Sequence, residues 1–374
     1  MELLLERFKS IASEFEKYSD ELDNSNRFPS TNLEKLKEAR LMAPMIPKEY
    51  GGDGAKLELL VKAAQIISSS CLSTGMIWAM HCQQLCIIIN HANEDIKKQI
   101  LPKIADSQSY IVSVTSEYKT SDSRYLNEMT IDNNVINISR AAPNVTGANY
   151  GDIFIILMND YLGKGPVFAL AERNSLKINT QSNWNTMGMK GTESCSVSIK
   201  SSIKFDDILG AGMTNKIQSY TAVPIGHIMW VSSWLGACKG VLERFLKLIR
   251  SNELKGHYNL KSDLFLESVG KVRMKIDMIQ GYLDSVLYEY ITNDKKVFDE
   301  LKYKIKVNNL KISASEYLFQ AVDELLQIAG LNLGYQRNKL IPLERVFRDL
   351  RSARLMLNNH KLLSINGKLS FLDR

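Results

Sequence analysis

Along the N-terminal segment apolar residues recur every three or four positions. Leu5, Phe8, Ile11, Phe15, Tyr18 and Leu22 fall on one helical stripe. The polar stretch from Asn24 to Pro29 interrupts it. Thr31 followed by Glu34 has the spacing of a capping box, and Leu33 and Leu36 open the next apolar face. Pro44, Pro47 and Gly51-Gly52 enforce a loop. Leu57 to Asn90 reads as helix again, with a weak point at Ser73-Thr74-Gly75. Glu94 to Ile104 predicts a last helix.

Near Ser107 the period changes. Residues 109–115 (SYIVSVT) are rich in β-formers. Met129 to Ile131 and Val135 to Ile138 alternate around Asn133-Asn134, a hairpin signal. Ile153 to Met158 is a continuous apolar run, and Val167 to Leu170 and Val197 to Phe205 add strands. Short strands in this number predict a small barrel or sandwich. From Ser219 the helical period returns. Val231, Leu235, Cys238, Leu242, Phe245 and Ile249 form one stripe, and Ser262 stands where it would cap a long helix through Leu287. Val307 to Ile328 predicts a third helix and Leu343 to His360 a fourth. The chain therefore reads as mainly α with a central β domain: helices over 1–107, strands over 108–212, and a four-helix bundle over 213–374.

Composition narrows the class of function. The chain has 374 residues, 45% hydrophobic and 24% charged, the balance of a folded globular protein. The 47 Lys and Arg exceed the 41 Asp and Glu by six. That surplus forms no basic run, so no nucleic-acid partner is expected. No long uninterrupted apolar run and no secretory leader pattern is present, which predicts a cytoplasmic protein without a membrane span. Cysteine is odd in number, at five, so a disulfide framework is not expected. Cys82 and Cys86 share a helix face but lack partner ligands, and read as buried thiols rather than a metal site.

Several segments, in order, resemble the acyl-CoA dehydrogenase superfamily. IPKEYGG (Ile46 to Gly52) is similar to the loop before its second helical layer. VTSEYKTSD (Val114 to Asp122) sits where that family carries T-E-P-x-x-G-S-D; Thr115, Ser121 and Asp122 match, and Ser116, Glu117 and Thr120 do not. NVTGA (Asn144 to Ala148) resembles a flavin-contacting strand, with Thr146 matched and the usual Trp replaced by Asn144. WNTMGMKGTES (Trp184 to Ser194) and IKFDDILG (Ile203 to Gly210) are the nearest match. LLQIAGLNLGY and PLERVFRDLRSARLM (Leu325 to Met356) resemble the last helices.

The resemblance implies a flavin, FAD or else FMN, near subunit contacts of a dimer or tetramer. Thr115 and Thr146 are the candidates for the polar edge of the ring, and Asn144, in place of the usual Trp, is a further cofactor-binding candidate. Short hydroxyl residues and strand amides satisfy that edge without crowding it. Ser121 suits a pyrophosphate. Gln327 and Gly330 fit the segment that meets the dinucleotide across a subunit contact. Two departures touch this anchor. The family's Arg before the helix end is replaced by Lys255, and the second Gly of its Q-x-x-G-G is Leu331.

The family's base is missing. Its members use a Glu to remove the α proton of an acyl thioester while hydride passes to flavin N5. The commoner position of that Glu corresponds to Leu357, and the alternative, ten residues before Gly236, to Gly226. Three readings follow. The first is an oxidoreductase acting on an acyl-CoA or acyl-carrier-protein thioester, with an electron-transfer partner and with His227 or His360 as base. The second is a monooxygenase using a C4a-hydroperoxyflavin and a separate flavin reductase, with His81 as the nearby hydrogen-bond donor. The third is a non-catalytic scaffold. The lost Glu points to biosynthesis rather than fatty-acid breakdown.

Overall fold

The structure is a computed structural model. It describes residues 2–118, 127–133, 135–159, 166–181, 184–210, 212–251, 254 and 256–373. The N-terminal layer is α1 (Glu2–Ser25), α2 (Ser30–Glu38), α3 (Leu57–Ser70), α4 (Leu72–His91) and α5 (Glu94–Ser107). On α1 the buried stripe centres on Phe8 and Phe15, and Tyr18 faces outward. The expected capping box is absent. Helix α2 begins at Ser30 behind Pro29 with no side-chain cap, so Thr31 already lies inside it. The predicted weak point also moves. Cys71, extended at φ −151°, separates α3 from α4. Gly75 instead lets α4 close on α3, since a Cβ there would stand 1.9 Å from Ser68 Oγ.

The strands are β1 (Ile111–Val114), β2 (Asn127–Asp132), β3 (Val135–Thr146), β4 (Ile153–Asn159), β5 (Pro166–Glu172), β6 (Leu176–Thr180), β7 (Ser194–Ile203) and β8 (Ile208–Leu209). They form two four-stranded sheets, ordered β1-β4-β5-β8 and β2-β3-β7-β6. Neither closes into a barrel. The predicted hairpin is the β2–β3 pair, with Asp132 opposite Val135 and Asn133 left-handed at φ 46°. β1 runs parallel to β4, Ile111 beside Ile153. The continuous apolar run of β4 has a simple cause. Phe154 and Ile156 enter the main core, while Ile153 and Ile155 enter a second core shared with α5. A strand covered on both faces cannot alternate with polar residues.

The C-terminal part contains α6 (Thr214–Ile217), a π-helical turn (Gln218–Ala222), α7 (Val223–Ile249), α8 (Asp263–Thr292), α9 (Leu301–Gly330), α10 (Leu343–Leu350) and α11 (Asn359–Leu372). Helix α7 is the hub and packs on α3, α4, α8 and α9. Two expectations fail here. Ser262 precedes α8 without a side-chain cap. The single helix expected from Leu343 to His360 is two, because the chain turns at Leu357, left-handed at φ 42°.

Among the described residues, one helix, α4, is long and apolar enough to cross a membrane, and 89% of its most apolar window is buried inside the fold. All five cysteines are buried and free, and no cluster of metal-ligating side chains occurs among the described residues.

Gly236 on α7 faces α3 so closely that a Cβ would lie 2.3 Å from the Gln65 carbonyl oxygen. Gly236→Ala is expected to destabilise the protein by about 1–3 kcal/mol by overpacking. Urea denaturation reads this directly, and an unchanged midpoint would show that the two helices have room to part.

Candidate functional site

The ends of β1 and β3 meet at one edge of the β region. Thr115 follows β1 and is exposed, its hydroxyl 3.3 Å from Ser113 Oγ. Ser116 ties the two strands together. Its hydroxyl donates to the Asn144 carbonyl at 2.7 Å and accepts from the Asn144 N–H at 3.2 Å. Asn144 is exposed beside it. Two residues on, the Thr146 hydroxyl lies 2.8 Å from Ser194 Oγ, and the Thr146 carbonyl accepts from Tyr110 OH at 3.1 Å. The chain then turns through Gly147 at φ 61°, where a Cβ would meet Phe28 at 2.4 Å. Thr115, Asn144 and Thr146 thus lie at the ends of the two strands, with Ser116 and Ser194 bonded to Asn144 and Thr146. Ser121 lies outside the described residues.

Gln327 and Gly330 are not part of that edge. Both are exposed at the C-terminal end of α9, where Gln327 bonds Asp323 at 3.3 Å and Gly330 has φ 73°.

The three histidines have different situations. His81 is fully buried and both ring nitrogens are engaged by backbone. Nδ1 accepts from the Ile111 N–H at 3.0 Å, so Nε2 carries the proton and donates to the Met42 carbonyl at 2.6 Å. This corrects the expectation of a donor aimed at a ligand, because the ring braces α4 against the start of β1. His227, on α7, is buried with Nδ1 3.1 Å from the Val307 carbonyl of α9. Burial pushes each of these two imidazoles down to about 4. His227 is therefore neutral at pH 7, but its imidazolium is strongly disfavoured, which makes it a poor proton acceptor. His360 is exposed in the first turn of α11.

Neither base position can present a carboxylate. Gly226 faces α4, and a Cβ there would stand 2.4 Å from Gln83 Nε2, which itself donates to the Ala222 carbonyl at 2.5 Å. Leu357 is 40% exposed at the turn between α10 and α11. That turn is held from beneath by Lys311, which the sequence reading passed over. Its ammonium is buried and donates to the Leu357 carbonyl at 3.2 Å and to Asn359 Oδ1 at 2.7 Å. Asn359 also bonds Ser315 and Glu316. Burial pushes the Lys311 pKa down to about 8. A signal was present in the sequence: Lys311 interrupts the apolar stripe of Val307, Leu310, Ala314 and Leu318.

Comparison with known proteins fits this architecture. The model of the acyl-CoA dehydrogenase N-terminal domain matches residues 2–108, and that of the acyl-CoA dehydrogenase C-terminal domain matches residues 219–357. The chain belongs to the acyl-CoA dehydrogenase superfamily. It is similar to a short-chain specific acyl-CoA dehydrogenase of Clostridium acetobutylicum, at 23% identity over 98% of this chain and 97% of the relative. Its fold matches dibenzothiophene monooxygenase from a Paenibacillus species, solved with FMN and indole, at TM-score 0.86 and 18% identity over 100% and 98% of the two chains. It also matches butyryl-CoA dehydrogenase from Megasphaera elsdenii, at TM-score 0.81 and 15% identity over 98% of each.

The His81 brace makes a pH prediction for this superfamily member. A histidine whose folded pKa is about 4, against 6.5 ordinarily, contributes stability that is full above pH 6.5 and lost as pH falls towards 4. The size is at most roughly 3 kcal/mol. Buried Asp349, raised from 3.8 to about 6, acts in the opposite sense over its own window. The test is therefore the difference between wild type and His81→Gln. The variant is expected to be less stable at pH 7 and to lose less on acidification to pH 4.5. Parallel stability curves would remove His81 from the linkage.

Proposed function

We propose that this chain is a flavin-dependent monooxygenase that receives reduced FMN or FAD from a separate reductase. One observation carries the reading: the two positions where the superfamily resemblance expects a base hold Gly226 and Leu357, and Gln83 fills the space beside the first. Thioester desaturation requires an α-proton acceptor, and oxygen transfer does not. When bound and reduced, the flavin supplies oxygen activation. The chain's own residues supply its seat. The exposed Thr115 hydroxyl and Asn144 carboxamide, with Thr146 beside them, offer donors and acceptors of the size that the polar ring edge needs. The fold's likeness to a dibenzothiophene monooxygenase solved with FMN supports the same reading.

The alternative, an acyl-thioester dehydrogenase with FAD and an electron-transfer partner, would rest on His227 or on exposed His360 as base. The low basicity of the buried imidazole weighs against His227. Exposed apolar side chains on α8 (Met274, Met278, Tyr288) and α11 (Phe371, Leu372) support assembly as a homodimer or homotetramer.

Purified protein given FMN, NADH, a flavin reductase and ¹⁸O₂ is expected to place one labelled oxygen in indole or dibenzothiophene. Anaerobic bleaching of oxidised flavin by butyryl-CoA, with formation of the enoyl product, would overturn the oxygenase reading in favour of the dehydrogenase. Failure to bind flavin in either redox state would leave the scaffold reading. Thr115→Val is expected to weaken flavin binding about tenfold, the loss of roughly one hydrogen bond. Equilibrium dialysis measures it, and unchanged affinity would exclude Thr115 from the seat.

A further inference from the structure

Buried polar atoms without a partner are rare in folded proteins. Two of them stand together on α7. His227 donates through Nδ1 to the Val307 carbonyl at 3.1 Å, so Nε2 presents a lone pair. Among the described residues nothing meets that lone pair. Trp230 is one turn further on. Its indole lies 5.6 Å from the imidazole, centroid to centroid, with the planes tilted by 48°. The indole Nε1–H is buried and also lacks an acceptor. One atom is an acceptor and the other a donor, on neighbouring rings of one helix face.

The chemistry that satisfies both is narrow. A hydroxyl can accept from the indole and donate to the imidazole. A carboxylate has no proton for Nε2, an ammonium has no lone pair for the indole, and a methyl group serves neither. Lys311 is four residues along α9 from Val307, but its ammonium is engaged by Leu357 and Asn359. The flanking positions are apolar: Met229, Val231 and Leu310 are all buried. We propose that His227 and Trp230 form a recognition pair for the hydroxyl of a substrate whose body is apolar, a phenol or an alcohol. This rests on the reading of the chain as a flavin-dependent oxygenase. The role of His227 is then to accept a hydrogen bond rather than to abstract a proton.

Val307, whose carbonyl anchors His227, and Lys311, which anchors the Leu357 turn, lie four residues apart on α9. A site built to bond a hydroxyl discriminates strongly against the analogue that lacks it, because both buried groups are then unmet.

Phenol and benzene are suitable probes, since they differ by the hydroxyl alone. The full chain, without flavin, is labelled with ¹⁵N in its tryptophan and histidine rings. Phenol is expected to shift the Trp230 Nε1 and His227 Nε2 resonances together and saturably, and to bind at least about tenfold tighter than benzene. Trp230→Phe keeps one aromatic ring, smaller than the indole, and removes the N–H. It is expected to abolish the preference for phenol over benzene. Equal affinity for phenol and benzene in the wild-type chain would overturn the proposal, and that measurement needs no variant to fold. Resonances that phenol leaves unmoved would show that the pair holds an internal water only, and would also overturn it. Flavin chemistry is not read here, so failure of this pair and failure of the oxygenase reading are seen separately.

Discussion

The arrangement of the molecule depends on one buried knot between three parts of the chain. Arg348 on α10 is held by Asp23 of α1 at 2.7 Å and by Glu344 of its own helix at 2.7 Å. It also donates to the Met187 carbonyl at 2.8 Å. The next residue, Asp349, accepts from the Met189 N–H at 2.5 Å. Gly188 lies against the same backbone, where a Cβ would stand 2.2 Å from the Arg348 carbonyl oxygen. Helix α1, the loop before β7 and helix α10 are thus joined by charge-assisted bonds. The knot fixes α10 against α1 and the loop before β7.

The candidate site and the turn at Leu357 each have a support of their own. On the β side, His81 fixes the start of β1 and Ser116 fixes its end to Asn144, so the strand that leads into Thr115 is held on both flanks. On the helical side, Lys311 holds the Leu357 carbonyl from within the bundle. Leu357 is not a glycine, and its left-handed conformation costs roughly 1–2 kcal/mol. The ammonium beneath it, the Asn358 side chain capping α11 and the Asn359 network offset that cost. The position that lacks a base is therefore not loosened: it remains a tightly specified turn carrying an apolar side chain.

The same physics explains why histidine was a poor guide in this chain. Two of the three candidates are buried where the charged form is disfavoured, and three of their four ring nitrogens answer to backbone groups. Their chemistry is that of fixed hydrogen-bonding rings. His81 is fully satisfied, whereas His227 and its neighbour Trp230 keep one unmet atom each, and that contrast separates a brace from a recognition pair.

Much of the fold was legible in the residues themselves. Helical periods located α1, α7, α8 and α9, and the Asn133-Asn134 pair located the β2–β3 hairpin, because these signals are local. The order of motifs carried the superfamily and the loss of its base. Three things could not be read along the chain. The break at Leu357 is imposed by Lys311 from another helix. The glycines at 75, 188 and 236 are explained by what presses on them rather than by turns. The unmet atoms of His227 and Trp230 exist only because α7 is buried against α9. Periodicity and residue type record what each segment buries; which donors find partners is decided by contacts between residues far apart in sequence.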